Sequence, residues 1–426
     1  MIFVPFIYFL CLTLYVWHKH RAFDVCVVMT GLYALTSLLA MIVYLMDELE
    51  GGGILYGDLH SDIEIGVVPT VIYCVVLSLT LLPFTLVSES KIERIVNNAP
   101  WTMYLVSWVM ICQFFLTLYL VVDSTYEILS GDLSALRASH YNGEMSPAEL
   151  KALTLPVVLQ YYHYMTYSTI LSMPLFFYYL CFEKKPWWFL TLLFMSTLTM
   201  PIAAIQVVDR TEFVYYGLMF VWCVVFFRRF MTKRQKVKLG LALSPLALGA
   251  LAYFVVVTVA RFDDSRDKEN KGAAITALQY AGQGFLNFCY FWEYGNGDYP
   301  TIERVMPMTS HMLFHVDSTS EHRAERGDRQ QGFRISVFGT FIGDVLLDLG
   351  FAGMVMWALF FAFVCCMIFQ TPHRTEFNTG ELLAIFMVSA VPLFGLFYYR
   401  YYLFTHFFTL FFVAVSYFMS KYTIRL

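Results

Sequence analysis

The chain has 426 residues, of which 59% are hydrophobic, 18% aromatic and only 14% charged. A soluble domain of this length could not cover such a composition with polar surface. The formal net charge of -4 is nearly balanced and falls in short clusters between apolar runs, which excludes an electrostatic nucleic-acid binder and predicts an all-α, polytopic integral membrane protein.

A helix needs about 20 mainly apolar residues to cross a bilayer. Eleven runs qualify, at roughly 2–17, 25–46, 67–87, 101–122, 153–182, 187–207, 213–230, 239–260, 351–370, 381–399 and 402–420, giving a single transmembrane domain over 1–426. The opening "MIFVPFIYFLCLTLYVWHKHR" has no basic residues ahead of its apolar run and no small-residue cleavage site, so it reads as a retained first span with its amino end outside. From that start, fifteen Lys and Arg fall in the inside segments and four (Arg137, Lys151, Arg210 and Arg400) in the short outside loops. This asymmetry orients the chain, with the carboxyl end inside. The long connection at 261–335, between the eighth and ninth spans, is exempt from the rule and lies outside.

Ahead of the fifth run, "SPAEL" offers Ser146 as a cap, Pro147 at the first helical position and Glu149 as the reciprocal partner. A helix from there to Phe182 would be roughly 55 Å long at 1.5 Å per residue, so it must tilt, kink or project, with Pro156 and Pro174 available for kinks. In the long connection, "KGAAITALQYAGQGFLNFCYFWEYG" is apolar and aromatic enough to lie on or dip into the outer face of the bilayer, whereas "TSEHRAERGDRQQGFR" reads as solvated. The nine cysteines lie almost wholly in apolar runs without a C-x-x-C pair, and Cys289, placed in the outside connection, has no partner there, so neither a disulfide framework nor a zinc ribbon is indicated. No internal repeat emerges, which leaves an inverted-repeat transporter unsupported.

Three arginines stand where an outside helix end meets the membrane: Arg210 in "QVVDRTEF", Arg261 in "VVVTVARFDD" and Arg400 in "FYYRYYLF". Planar, permanently charged guanidinium groups match phosphate oxygens, so they are candidates for an anionic headgroup or a lipid-linked diphosphate. The alternative is snorkelling or local pairing, such as Arg210 with Asp209 or Glu212. "TSHMLFHVD" sets His311 and His315 four apart, but the acid of H-E-x-x-H and a third ligand are absent, so no metal is expected. One of these histidines as a general base or hydrogen-bond partner competes with an ordinary exposed loop histidine.

In "FIGDVLLDLGFAG", Asp344 and Asp348 share a helical face. If the span is 351–370, these acids lie ahead of it at the outer surface, out of hydrocarbon. They then read as helix-entrance caps, arginine partners or ligands of sugar hydroxyls.

The order of these features resembles the O-antigen and capsular polysaccharide polymerases, the Wzy-type oligosaccharide repeat-unit polymerases of bacteria. The matching elements are ten or more spans, an arginine after the middle spans ("VVDR"), a long outside loop before the last spans, and "FGTFIGDVLLDLGFAGMVMW". That run has the family's pattern of a small residue, an acid, an apolar stretch, then Asp-aromatic-Gly leading into a span, with Leu349 in place of the aromatic. The resemblance implies a periplasm-facing glycosyltransferase of the bacterial inner membrane, with undecaprenyl-diphosphate-linked oligosaccharides as donor and acceptor, membrane lipid around it, a chain-length regulator as a further partner, and no cofactor or nucleic acid. Arg210, Arg261 and Arg400 would then hold the diphosphate, and His311, His315, Asp344 and Asp348 are the candidate bases. A flippase or other transporter of lipid-linked oligosaccharides, an O-antigen ligase and a membrane acyltransferase stay open as alternatives.

Overall fold

The computed structural model describes residues 1–49, 65–130, 147–206, 211–244, 273–294, 302, 305–306, 339–370, 375–399 and 404–422. Apart from a short parallel pairing of Arg94–Val96 with Glu376–Asn378, the regular structure among them is helical. Among the described residues, five helices are long and apolar enough to cross a membrane, Val25–Asp47, Val67–Leu86, Pro100–Val122, Trp187–Ile205 and Thr340–Phe369. Shorter apolar helices at Thr211–Phe227, Thr379–Phe394 and His406–Lys421 fall on three further predicted spans. Most of the predicted span 239–260 lies outside the described residues; the helix that enters it runs over 233–244. Thr232 and Gln235 start that helix by bonding each other's backbone N–H groups, a reciprocal cap.

The outward faces are apolar. Beyond residue 350 the last long helix buries Met354, Ala358, Phe361, Cys365 and Phe369, while Met356, Phe360 and Phe363 are exposed. A face of that kind is stable in lipid and an aggregation surface in water. Trp17, Trp101 and Trp187 stand 54%, 83% and 78% exposed at helix ends, as interfacial tryptophans do. The protein is a helical membrane protein.

Contacts divide the chain into two compact units. The first, Met1–Glu93, Asn270–Thr375 and Met387–Phe404, begins with the helices Phe3–His20 and Val25–Leu49, packed on each other. Their turn is fixed by a buried ion pair, His20 Nδ1 to Asp24 Oδ2 at 2.5 Å. Asp24 Oδ1 also accepts the Val27 N–H and so caps the second helix. The other ring nitrogen of His20 faces the Thr85 carbonyl at 3.0 Å; a carbonyl only accepts, so both nitrogens carry protons in the charged ring.

Burial works against this charge, but the Asp24 carboxylate more than offsets it and raises the His20 pKa above its ordinary value. The stabilisation is therefore full below about 6.5, the unfolded value, and is lost as pH rises through the higher folded value. Thermal unfolding in detergent should show a midpoint that falls with pH above neutrality in the native chain and stays flat in Asp24→Ala. That variant also loses the cap, worth about 1 kcal/mol; a parallel pH profile in the two proteins contradicts the assignment.

The segment expected on or dipping into the outer face of the bilayer is the helix Ala273–Tyr294, and it is packed inside this unit. A Cβ on Gly282 would stand 2.7 Å from the Leu39 carbonyl carbon, so this helix lies backbone to backbone on Val25–Leu49. Tyr73 of the helix Val67–Leu86 meets the rings of Phe285 and Phe288 at 4.9 and 5.2 Å. Cys289, read as a loop residue, is 1% exposed. Its buried amides Gln279, Gln283 and Asn287 dilute the apolar pattern that would have marked the segment as a core helix.

The second unit comprises Arg94–Glu269, Glu376–Phe386 and Thr405–Leu426. The long helix predicted up to Phe182 is broken into helices Pro147–Leu153, Val157–His163 and Ser172–Cys181, with a 3-10 turn at Thr166–Leu171. Pro156 caps the second piece and Pro174 sits harmlessly in the first turn of the last. Ser146, the predicted cap, lies outside the described residues. Asn378 and Glu381 exchange backbone bonds of 2.8 Å at the start of Thr379–Phe394.

Candidate functional site

The stretch "FGTFIGDVLLDLG" of the first unit folds as a helix that is separate from the span it precedes. Gly350, at φ 66° and ψ -176°, breaks Thr340–Phe369, and the break falls where the sequence reading starts its span at 351. Residues 340–348 are buried throughout. The following helix is buried on one side only.

Glycines admit this helix into the core. Gly339 and Gly343 lie against the Phe291 ring, Gly395 lies against Phe341, and Gly284 touches Thr340 and the Leu396 carbonyl. The first N–H groups of a helix have no partner inside it. Here the Thr340 N–H donates to Phe397 O and the Phe341 N–H to Gly395 O, both at 2.9 Å. Their acceptors belong to the non-helical residues that follow Thr379–Phe394.

Asp344 and Asp348 project from this helix one turn apart and are 5% and 3% exposed. Asp344 Oδ2 accepts the Tyr399 N–H at 2.7 Å, and Asp348 Oδ2 accepts the Val305 N–H at 2.7 Å. A carboxylate accepting an amide N–H makes a charge-assisted bond, about twice as strong as a neutral one. The aspartates are thus buried acceptors for distant backbone, not acids on an open surface. The first turn of their own helix is served by the Gly395 and Phe397 carbonyls.

Tyr399 directly precedes Arg400. Trp357, on the far side of the Gly350 break, packs edge-on against Tyr399 and is tilted against Phe341, at 5.7 and 5.5 Å. Arg400, Arg210, Arg261, His311 and His315 lie outside the described residues. Of the seven predicted site residues, the two aspartates are the ones described.

The second unit holds a polar cluster that the sequence reading passed over. His406, 2% exposed, lies against the Tyr167 ring with centroids 5.1 Å apart. Beside it Ser168 Oγ and Thr409 Oγ1 pair at 3.3 Å, and Gln113 Nε2 donates to Thr166 Oγ1 at 2.8 Å. The 3-10 turn Thr166–Leu171 carries three of these side chains, a tightening of the backbone that often marks functional or strained positions. The available signal was an ionisable residue within the apolar run "YYLFTHFFTLFF", which deserves a functional reading by default in a span.

Comparison with family models, with curated proteins and with solved structures finds no match to this chain.

Proposed function

We propose that this chain is a membrane glycosyltransferase that polymerises undecaprenyl-diphosphate-linked oligosaccharide repeat units into O-antigen or capsular polysaccharide on the periplasmic face of the bacterial inner membrane. On this reading it has eleven spans, a periplasmic amino terminus and the long periplasmic loop 261–335. The observation that carries the reading is the run "FGTFIGDVLLDLGFAGMVMW", whose two acids lie on a separate helix ahead of a span, with Asp344 accepting the backbone N–H next to Arg400.

In the reaction an acceptor sugar hydroxyl attacks the anomeric carbon of the donor. The bond from that carbon to the diphosphate oxygen breaks, the hydroxyl proton passes to a base, and the lipid diphosphate leaves. Arg210, Arg261 and Arg400 would stabilise the charge that develops on the leaving group. Asp344 and Asp348 already accept backbone N–H groups, and taking up a proton would weaken those bonds, so the base is better sought in His311 or His315.

The test is to inactivate the gene and examine the surface glycan. Loss of a polymerase leaves single repeat units on the final acceptor, loss of a flippase leaves lipid-linked units inside, and loss of a ligase leaves polymer on its lipid carrier. Alanine at each of the three arginines should shorten the polymer with the protein still in the membrane, since one lost donor to developing charge costs about 10²–10³ in rate. Normal chain lengths in all three variants would sink the diphosphate assignment.

A further inference from the structure

We propose that Asp344 and Asp348 are positioning residues, two arms of one clamp that fix the backbone entering Arg400 and the backbone at Val305. The consequence for glycosyl transfer rests on the polymerase reading; the clamp itself does not.

Three bonds fasten the short stretch 395–399 to the helix that carries the aspartates. Gly395 O and Phe397 O accept from the first turn, and the Tyr399 N–H donates to Asp344. Carbonyls are held at one end of the stretch and an amide at the other, so neither its position nor the direction of its peptide planes is left to solvent. Asp348 reaches the Val305 N–H from the next turn of the same helix. Both anchors therefore move with one rigid element, and Gly350 separates that element from the half-buried helix behind it. Arg400 follows the clamped stretch by one residue, and Arg304 precedes Val305 by one. The clamp thus acts on two backbone positions that adjoin cationic residues.

Asparagine separates positioning from acid–base chemistry. Its side-chain carbonyl can accept the same amide N–H, but it carries no charge and takes up no proton. Hydrogen–deuterium exchange on the purified full chain in detergent should be at least tenfold faster across 395–399 in Asp344→Ala, and at Val305 in Asp348→Ala. Each variant should leave the other segment close to native. Asp344→Asn should keep the 395–399 stretch protected and keep polymer length close to native, while Asp344→Ala gives mostly single units from protein still present in the membrane.

Unchanged exchange in both alanine variants overturns the clamp. So does Asp344→Asn that is as inactive as Asp344→Ala with native protection at 395–399, because the carboxylate then acts on substrate. If Asp344→Ala cannot be recovered from membranes, Asp344→Asn still decides between these outcomes. Should gene inactivation leave every glycan normal, the polymerase reading fails while the exchange result stands on its own.

Discussion

Gly282→Val is expected to destabilise the first unit by forcing apart two of its packed helices. A Cβ at this position would stand 2.7 Å from the carbonyl carbon of Leu39 and 2.8 Å from both the Leu39 oxygen and the Ala40 nitrogen. All three are backbone atoms of the helix Val25–Leu49, so no rotamer change relieves the overlap and the helices must separate. In a membrane the attraction between helices is chiefly close packing, since lipid is as apolar as the buried side chains. Overpacking of this kind costs typically 1–3 kcal/mol, and the two branched methyls of valine place it at the upper end.

Gly217→Ala supplies the contrast. This glycine lies within Thr211–Phe227 and nothing stands within 4 Å of its would-be Cβ, so alanine should stabilise that helix by about 0.5–1 kcal/mol. Thermal unfolding of both variants in the same detergent tests the pair. Equal effects of the two substitutions would mean that the Gly282 contact is not tight.

Much of the fold was legible because apolar runs of membrane length need no tertiary information. The boundary at 351 was legible for a related reason: nineteen residues from 351 to 369 span about 28 Å at 1.5 Å per residue, enough without the acids ahead of them. What the sequence hid was decided by packing. The helix Ala273–Tyr294 carries three buried amides, so its composition resembles an interfacial segment, and contacts such as Gly282 on the backbone of Leu39 and Ala40 show that it belongs to the core.

The aspartates were found for their unusual setting and placed at the outer surface, and their burial could not be foreseen because they accept the backbone amides of Val305 and Tyr399. Every residue but proline offers such a donor, so no residue type announces this kind of contact. His406 was missed for the opposite reason. It sits in a run so apolar that the run was read as a span and its one ionisable side chain was not questioned.

Gly350→Ala is expected to act through backbone geometry alone. Nothing lies within 4 Å of the Cβ it would add, so no side-chain collision is involved. The φ of 66° with ψ of -176° belongs to a region that is open essentially to glycine, and holding another residue there costs of order 1–3 kcal/mol. Alanine can escape that cost by continuing the helix, but a continuous helix through 350 would swing residues 340–349 relative to 351–369. The aspartates would then leave the amides of Tyr399 and Val305, while the phenylalanines at 351, 360 and 363 kept their apolar exposure. The expected result is a lowered unfolding midpoint together with faster amide exchange at both 395–399 and Val305, the combined signature of the two aspartate-to-alanine variants produced from a position that touches neither. Faster exchange at one segment only would mean that the two arms are not carried by a single rigid helix.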